Sequence, residues 1–419
     1  MALLFLVAKV EQVNQQAHTL AQALNDQAGL GATLYTMGRL AAHQLQYEVA
    51  EKYMQQSLVI SRRVGDTDRV ISRLNYLGLI SMDQGIYQAA ADYYEQSLTA
   101  AQAIGSEGRI AMVLTNLGIL ANSQGDYEMA LYYAQQSLAI DEKLSNQSST
   151  AIALINLGDL ARLHGDYEAA RDYALQSIAI QRRINNNQHL GVNFHNLGEI
   201  AKDQGQYDTA YDYYQQSLAN WQELDALGLM LYFDTGVGSL WFEQGAYEKA
   251  HDQLQVGLQK KLAGNIVIEL GINYGYLVLC QVALTHYEAA FQTVLDHFQR
   301  LDTIDSDDSF GLVSAGVGQL LAAQELGHAN SAQLASALDT LTQLTQLAAT
   351  PTAYFEAALR AAKPHFARLR VLMEYGRYLG QTGQVEAGRV KLSEAKAMAE
   401  ASHLDHKVSE IETLIQAHF

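Results

Sequence analysis

Seven tyrosines recur every forty residues, at Tyr47, Tyr87, Tyr127, Tyr167, Tyr207, Tyr247 and Tyr287. Seven alanines follow in step, from Ala50 to Ala290. Six glycines hold the same interval at Gly38, Gly78, Gly118, Gly158, Gly198 and Gly238. A fixed interval of this size marks stacked repeats, where each short unit buries its apolar face on its neighbours. That constraint overrides the two or three globular domains that 419 residues would otherwise suggest.

The interval resolves into two helices per unit. In one copy, Leu74, Leu77 and Ile80 fall at helical spacing with Gly78 among them. Gln84-Gly85 breaks the run, and Tyr87, Ala90, Tyr94, Ser97 and Leu98 mark a second helix that ends near Gly105. Glycine inside a helix costs about 1 kcal/mol relative to alanine. Six glycines kept at one register position therefore predict a close helix crossing there, with Ala90 supplying the small surface opposite. Gly85, Gly125, Gly165, Gly205 and Gly245 fit a turn that needs positive φ.

At these residues the chain resembles the tetratricopeptide repeat family. Leu74, Leu77-Gly78, Gly85, Tyr87, Ala90, Tyr94 and Ser97 follow the family pattern. Leu114, Leu117-Gly118, Gly125, Tyr127, Ala130, Ala134 and Ser137 follow it with the aromatic displaced to Tyr133. The standard unit has 34 residues; the forty-residue form looks like spindle-orientation adaptors, kinesin light chains and the sensor arms of bacterial regulators. The resemblance implies an all-α superhelical solenoid of antiparallel helix pairs, roughly nine to ten in number. Its boundaries are expected as a partial or capping repeat over 1–30, seven forty-residue units over 31–310, a divergent helical repeat over 311–350, and a last unit with a capping helix over 351–419.

The ends depart from the interval. Thr285 stands where a turn glycine belongs. Asp302 to Ser309, with Asp305, Asp307 and Asp308, reads as a solvated loop; a calcium loop would need ordered ligand spacing and a closing Glu. Gly318 keeps the register, Thr350-Pro351-Thr352 reads as a linker, and Pro364 sits near a helix start. Leu372, Tyr375-Gly376, Gly383, Val385, Leu392 and Ala395 make a last unit, closed by a helix over 405–419. At the other end, Val7 to Asn25 fall where a second helix belongs, so the chain is expected to begin mid-repeat, as a divergent cap or as the C-terminal part of something longer.

Charge and cysteine narrow the function. The net charge of -18, with no basic cluster, argues against nucleic acid or an anionic membrane as this chain's partner. Cys280 is the single cysteine, so no intrachain disulfide is possible, which fits a reducing, cytoplasmic setting. Its neighbours Leu277, Val278, Leu279 and Val282 read it as a buried small apolar residue. The apolar start from Met1 to Ala8 is too short to span a bilayer and lacks a basic segment before it.

No catalytic constellation stands out. Thirteen histidines lack metal spacing, and the zinc, phosphate-loop and nucleophile-elbow motifs are missing. Gly-Val-Gly at 236–238 and 316–318 falls in helix registers with no strand before it. No enzyme, cofactor or metal is expected.

A binding surface is. First helices of such a solenoid line a concave groove. Register places Asn75, Thr115 and His195 three residues before the glycine, and Asn116, Asn156 and Asn196 two before. Asp159 and Glu199 stand one after it, and Arg162, Lys202 and Phe242 four after. Asparagine is a mediocre helix former, so propensity does not explain three in step; its amide can pair with both groups of a peptide unit. The resemblance implies that these asparagines grip a partner's main chain. Simple duplication of units explains them equally well. Arg162 and Lys202 would receive acidic side chains, and Asp159, Glu199 and Asp203 basic ones; Asp159 and Arg162 would also pair as helix neighbours. Asn75 and Thr115 leave no basic clamp for a terminal carboxylate.

The sequence therefore reads as a non-enzymatic scaffold for a protein or peptide segment. It fits the sensor part of a larger bacterial regulator, joined to or acting with an ATPase or DNA-binding domain. The alternative is a module that senses a ligand or signal peptide by changing pitch, with Tyr232, Trp241 and Phe242 as its residues.

Overall fold

A computed structural model of the chain describes residues 2–419 except 45, 225, 265–268, 301–306, 326–344, 346, 348–349 and 362–364. The architecture is an all-α solenoid of helix pairs. It forms two compact units, Met1–Leu157 and Gly158–Phe419. The first contains α1 (Ala2–Ala23), α2 (Gln27–His43), α3 (Tyr47–Arg63), α4 (Thr67–Asp83), α5 (Tyr87–Ala103), α6 (Glu107–Ser123) and α7 (Tyr127–Lys143). The boundary falls inside α8 (Gln147–Leu163). The second contains α9 (Tyr167–Arg183), α10 (Leu190–Asp203), α11 (Tyr207–Glu223), α12 (Leu227–Glu243), α13 (Tyr247–Gly264), α14 (Leu270–Ala283) and α15 (Tyr287–Gln299). It continues with α16 (Asp307–Glu325), α17 (Pro351–Ala361), α18 (His365–Gln381), α19 (Val385–Ala401) and α20 (Asp405–His418).

The forty-residue interval is built from equal parts. Helices α2 to α9 are each 17 residues long, separated by three-residue turns. Both kinds of turn use one backbone solution, a left-handed middle residue. Within pairs it is Gly85 at φ 72° or Gly125 at φ 79°. Between pairs it is Gly65, Gly105, Ser145 or Asn185, the last two at φ 54° and 51°. The turn residue's N–H and the next one bond back to the preceding helix, as in Gly85 to the Met82 carbonyl (2.9 Å) and Ile86 to that of Ser81 (2.8 Å). Thr285 holds the same conformation at φ 60°, so the turn survives the loss of its glycine. Asp66, Asp126 and Asp166 start the following helices by accepting a bond from the third residue on.

Close crossing explains the glycines. A Cβ on Gly78 would lie 2.5 Å from the Tyr94 ring, and one on Gly198 2.7 Å from the Tyr214 ring. At Gly118 the facing residue is Ala134, and the helices meet at the Ala130 carbonyl oxygen, 3.3 Å from the same point. The alanines in step from Ala50 to Ala290 are all fully buried. Tyr94 and Tyr214 are fully buried as well, each contributing about 2–3 kcal/mol of apolar burial.

The divergent region departs from expectation. Asp307 to Ser309 open α16 rather than sitting in a loop, while 302–306, with Asp305, lie outside the described residues. Thr350-Pro351-Thr352 is a helix start, not a linker: Pro351 is the first residue of α17, and the Ala353 N–H donates to the Thr350 hydroxyl at 3.3 Å. Pro364 lies outside the described residues, immediately before α18. α16 pairs with α17 across the boundary expected at residue 350, with Gly318 against the Phe355 ring at 3.1 Å. α18 and α19 form the last pair, Gly376 against Leu392, and α20 follows them.

The second unit closes on itself. Arg370 of α18 pairs with Glu243 at the end of α12, and Lys407 of α20 reaches the other carboxylate oxygen at 3.4 Å. The Arg370 guanidinium also lies 4.7 Å from the centre of the Phe242 ring. His406 packs over Gly205 in the turn after α10. The Glu243 side chain is almost wholly buried between these two cations.

Two outcomes follow from this packing. Gly78→Ala should destabilise the chain by about 1–3 kcal/mol in urea unfolding, through overpacking against Tyr94. Its cost should not add to that of Tyr94→Ala, because the second change vacates the same space. Glu243→Ala strands the buried Arg370, while Lys407 keeps Glu410 at 2.8 Å, and should cost about 3 kcal/mol, read as a lowered thermal midpoint.

Candidate binding face on the first helices

Each first helix turns one side to its partner helix and another side away from it. In the first unit that second side carries Asn75, Tyr76 and Leu79 on α4, and Thr115, Asn116 and Ile119 on α6, all half-buried or exposed. Asn156 on α8 holds the same state. The Asn116 amide donates to the Asn75 side-chain carbonyl at 2.8 Å, so successive helices are linked along this side. Tyr35 and Tyr76 meet edge to face at 5.8 Å, and the Arg73 guanidinium covers Tyr35 at 4.4 Å. Thr115 turns inward instead: its hydroxyl bonds the Ala111 carbonyl and shares a 2.8 Å contact with Ser137.

In the second unit the same register is occupied by charges that satisfy one another. Arg162 contacts Asp159 at 3.4 Å, Asp203 at 3.3 Å and Glu199 at 3.9 Å. The first of these is the helix-neighbour pair expected from the sequence. Lys202 is buried, donating to Glu199 at 2.8 Å and to the Ser239 hydroxyl at 3.0 Å. Tyr214 donates to the other Glu199 oxygen at 2.5 Å. Burial alone would raise the Glu199 carboxyl, but Lys202, His195 and Arg162 hold it well below the usual range. Burial dominates at Asp203, pushed up to about 6, and at Glu269, pushed up to about 7. Lys261, wholly buried, donates to Thr235 at 2.6 Å, with the Glu269 carboxylate 3.9 Å away.

Three residues expected on a groove wall are buried instead. His195 is enclosed by Tyr214, Trp221 and Tyr232, ring centres 5.4, 5.9 and 5.3 Å away. Phe242 lies under Arg370 and against Tyr247 and Tyr276. Lys202 is consumed by the network just described. Each is covered by tertiary contacts that the register alone does not report. Asn196 stays half-buried, and Asp159 keeps 47% of its side chain exposed. Asp159 is the most exposed of these charged residues, Arg162, Glu199, Lys202 and Asp203 keeping 17% or less of their side chains exposed. Lys261 and Arg370 had no signal in the sequence, since Thr235 and Glu243, their partners, lie 26 and 127 positions away.

Among the described residues no group of three or more His, Cys, Asp or Glu could hold a metal ion, and no helix is long and apolar enough to cross a membrane. Cys280 is buried, with its thiol pushed up to about 12 by desolvation.

Family models of the tetratricopeptide repeat match residues 29–103, 69–143 and 109–183, and a further one matches 194–226. The chain carries tetratricopeptide repeats. No curated protein matches it. Among solved structures, a Rap protein complexed with competence and sporulation factor is 12% identical, covering 90% of this chain and 99% of its own at a TM-score of 0.59. A signal transduction ATPase with numerous domains, carrying a tetratricopeptide repeat sensor, from Pyrococcus horikoshii is 14% identical. It covers 81% of this chain and 55% of its own at a TM-score of 0.51. Kinesin light chain TPR-like repeats from Podosopora anserina are 17% identical, covering 46% and 96% at 0.39. These likenesses concern the fold, and the repeats mark the chain as a protein-interaction scaffold.

His195 gives the site a measurable pH signature. Burial lowers its pKa to about 4, from 6.5 when unfolded. Below pH 6.5 the unfolded chain takes the proton that the folded chain refuses, so stability falls as pH drops and levels off near 4. His195→Phe should abolish up to about 3 kcal/mol of that acid-side loss, measured as the pH dependence of urea midpoints.

Proposed function

We propose that the repeats hold an extended segment of a partner protein on the first-helix face, without chemistry of their own. The observation that carries this reading is the recurrence of half-buried Asn116 and Asn156 at one register position on the first unit's face, with Asn75 beside Asn116. There the packing positions around them are already satisfied. An asparagine amide offers one acceptor and two donors, the complement of a peptide group. Asn196 repeats the position in the second unit, where the exposed carboxylate of Asp159 favours a basic side chain on the segment bound there.

The placement within a larger cytoplasmic signalling regulator, bacterial in style, belongs to the same proposal. It is supported by the likeness in fold to the repeat sensor of the Pyrococcus horikoshii ATPase. An ATPase or DNA-binding domain, in the same chain or in trans, is the partner this placement asks for. A second reading, a module that senses a ligand or signal peptide, draws on the closure of α18 and α20 onto α12. It also draws on the fold of the Rap protein complexed with its factor. In that reading Phe242, under Arg370 of α18, lies at the contact, with Tyr232 and Trp241 on the same helix α12.

The test begins with affinity capture and mass spectrometry to obtain a partner. Its binding segment is then measured against the chain and against Asn116→Ala, Asn156→Ala and Asn196→Ala. Each variant should weaken binding about tenfold, the equivalent of roughly 1.4 kcal/mol. Equal affinity across folded variants would remove the asparagines from the proposal.

A further inference from the structure

Four arginines stand on the first helices of the first unit: Arg39 on α2, Arg69 and Arg73 on α4, and Arg109 on α6. Arg69 is paired with Asp66 at 3.1 Å and Arg109 with Asp68 at 2.6 Å. Among the described residues, no carboxylate is paired with Arg39 or Arg73. The chain has 45 acidic residues against 27 basic ones, so two neighbouring unpaired guanidinium groups run against its composition. Arg73 is 5% exposed and donates from Nε to the Ser57 hydroxyl at 3.0 Å. Asp66 and Asp68 act on it from a distance, and burial outweighs them. A buried charge that hydrogen bonds satisfy but no counter-charge balances is costly, and such charges gather where an opposite charge is received.

Both guanidinium groups flank one ring. Arg73 lies 4.4 Å and Arg39 5.8 Å from the centre of Tyr35, and Tyr76 meets the same ring edge to face at 5.8 Å. Arg39 also hydrogen-bonds the Tyr76 hydroxyl, pulling back the rise that burial imposes on its pKa. None of the four is a feature of the repeat. Forty residues on, Tyr35 becomes Asn75, Arg39 becomes Leu79, Arg73 becomes Val113 and Tyr76 becomes Asn116. Four departures that meet at one place share no packing reason with the other copies. Arg39 is exposed, and Tyr35 and Tyr76 are half-buried. That openness belongs to the register: Leu79 and Ile119, with first helices on either side of them, stay half-buried and 39% exposed. Tyr76 adjoins Asn75, the acceptor of the Asn116 amide.

The function proposed above lays an extended segment on this face, and the inference rests on that reading. We propose that Arg39, with the hydroxyls of Tyr35 and Tyr76, receives an aspartate or glutamate side chain of the bound segment. A guanidinium offers a carboxylate two parallel donors. Because Arg39 donates to the Tyr76 oxygen, the tyrosine O–H is left to donate in turn. The charge of Arg73 behind Tyr35 adds an attraction that salt screens little, since it is buried. The asparagines hold main chain, so what reaches Arg39 beside them is a side chain. A phosphate brings nearly two negative charges to one exposed guanidinium, with Asp83 near enough to act on Tyr76. A carboxylate brings one.

Random peptides displayed on phage, their C-termini fused to the coat protein, test this by selection on the full chain and on Arg39→Leu, Arg39→Glu and Asn156→Ala. Arg39→Leu repeats Leu79 of the next copy, and circular dichroism checks that each variant is folded. Peptides selected on the native chain should share an Asp or Glu at one fixed place. Made synthetically, they should lose about tenfold in affinity when that residue becomes Asn or Gln, and as much on Arg39→Leu. Amidating their C-termini should change nothing. Arg39→Glu should select Lys or Arg at the same place, a reversal that a merely structural role of Arg39 does not produce. An acidic preference that survives Arg39→Glu, or binding that needs a free C-terminus, overturns the assignment. Peptides that lose binding on Asn156→Ala yet carry no fixed acid sink this inference alone. No enrichment on the native chain sinks the proposed function with it.

Discussion

Each unit depends on one contact, the approach of the glycine of a first helix to the second helix. The small residue lets the two backbones close until a Tyr, Leu or Met from the second helix lies directly on the first. Gly38 receives Met54, Gly78 receives Tyr94, Gly198 receives Tyr214 and Gly238 receives Leu254. Where the incoming residue is only alanine, at Gly118 and Gly158, carbonyl oxygens take up the space. Gly318 and Phe355 make the same contact although 37 positions separate them rather than sixteen. The crossing is thus the invariant, and the regular interval is one way of producing it.

That contact also fixes which side of each first helix faces away, and there the two units differ in chemistry. The first presents amides, tyrosines and aliphatic groups in half-exposed positions. The second presents charges drawn into mutual contact, under helices from the end of the chain. Burial there holds His195 neutral and raises Asp203 and Glu269, while Glu199 stays ionised because Lys202 and Arg162 stand against it. A network of this kind fixes geometry more than it adds stability, since desolvation offsets much of its attraction.

Much of this was legible in the residues. The helix pairs, the turn glycines, the last helix and the buried Cys280 all follow from periodicity and local conformational preference. Thr285 could be read as a turn position because its neighbours held the interval, and the left-handed backbone bears that out. Thr350-Pro351 misled because proline suits a helix start as well as a linker, and only the packing of α17 on α16 distinguishes them. Asp307 and Asp308 misled in the same way: acidic residues are at home in solvent loops and in the first turn of a helix alike.

The sequence by itself determined the repeating unit, because helix length, turn conformation and crossing distance are set by residues within about forty positions of one another. It also determined which register positions face away from the stack. The tertiary structure decided which of those positions remain open. Asn116 and Asn156 stay accessible, while His195, Lys202 and Phe242 are enclosed by Trp221, Ser239 and Arg370. Those covering groups lie 26, 37 and 128 positions away. Their positions are set by how successive crossings add up, and no local pattern records that sum.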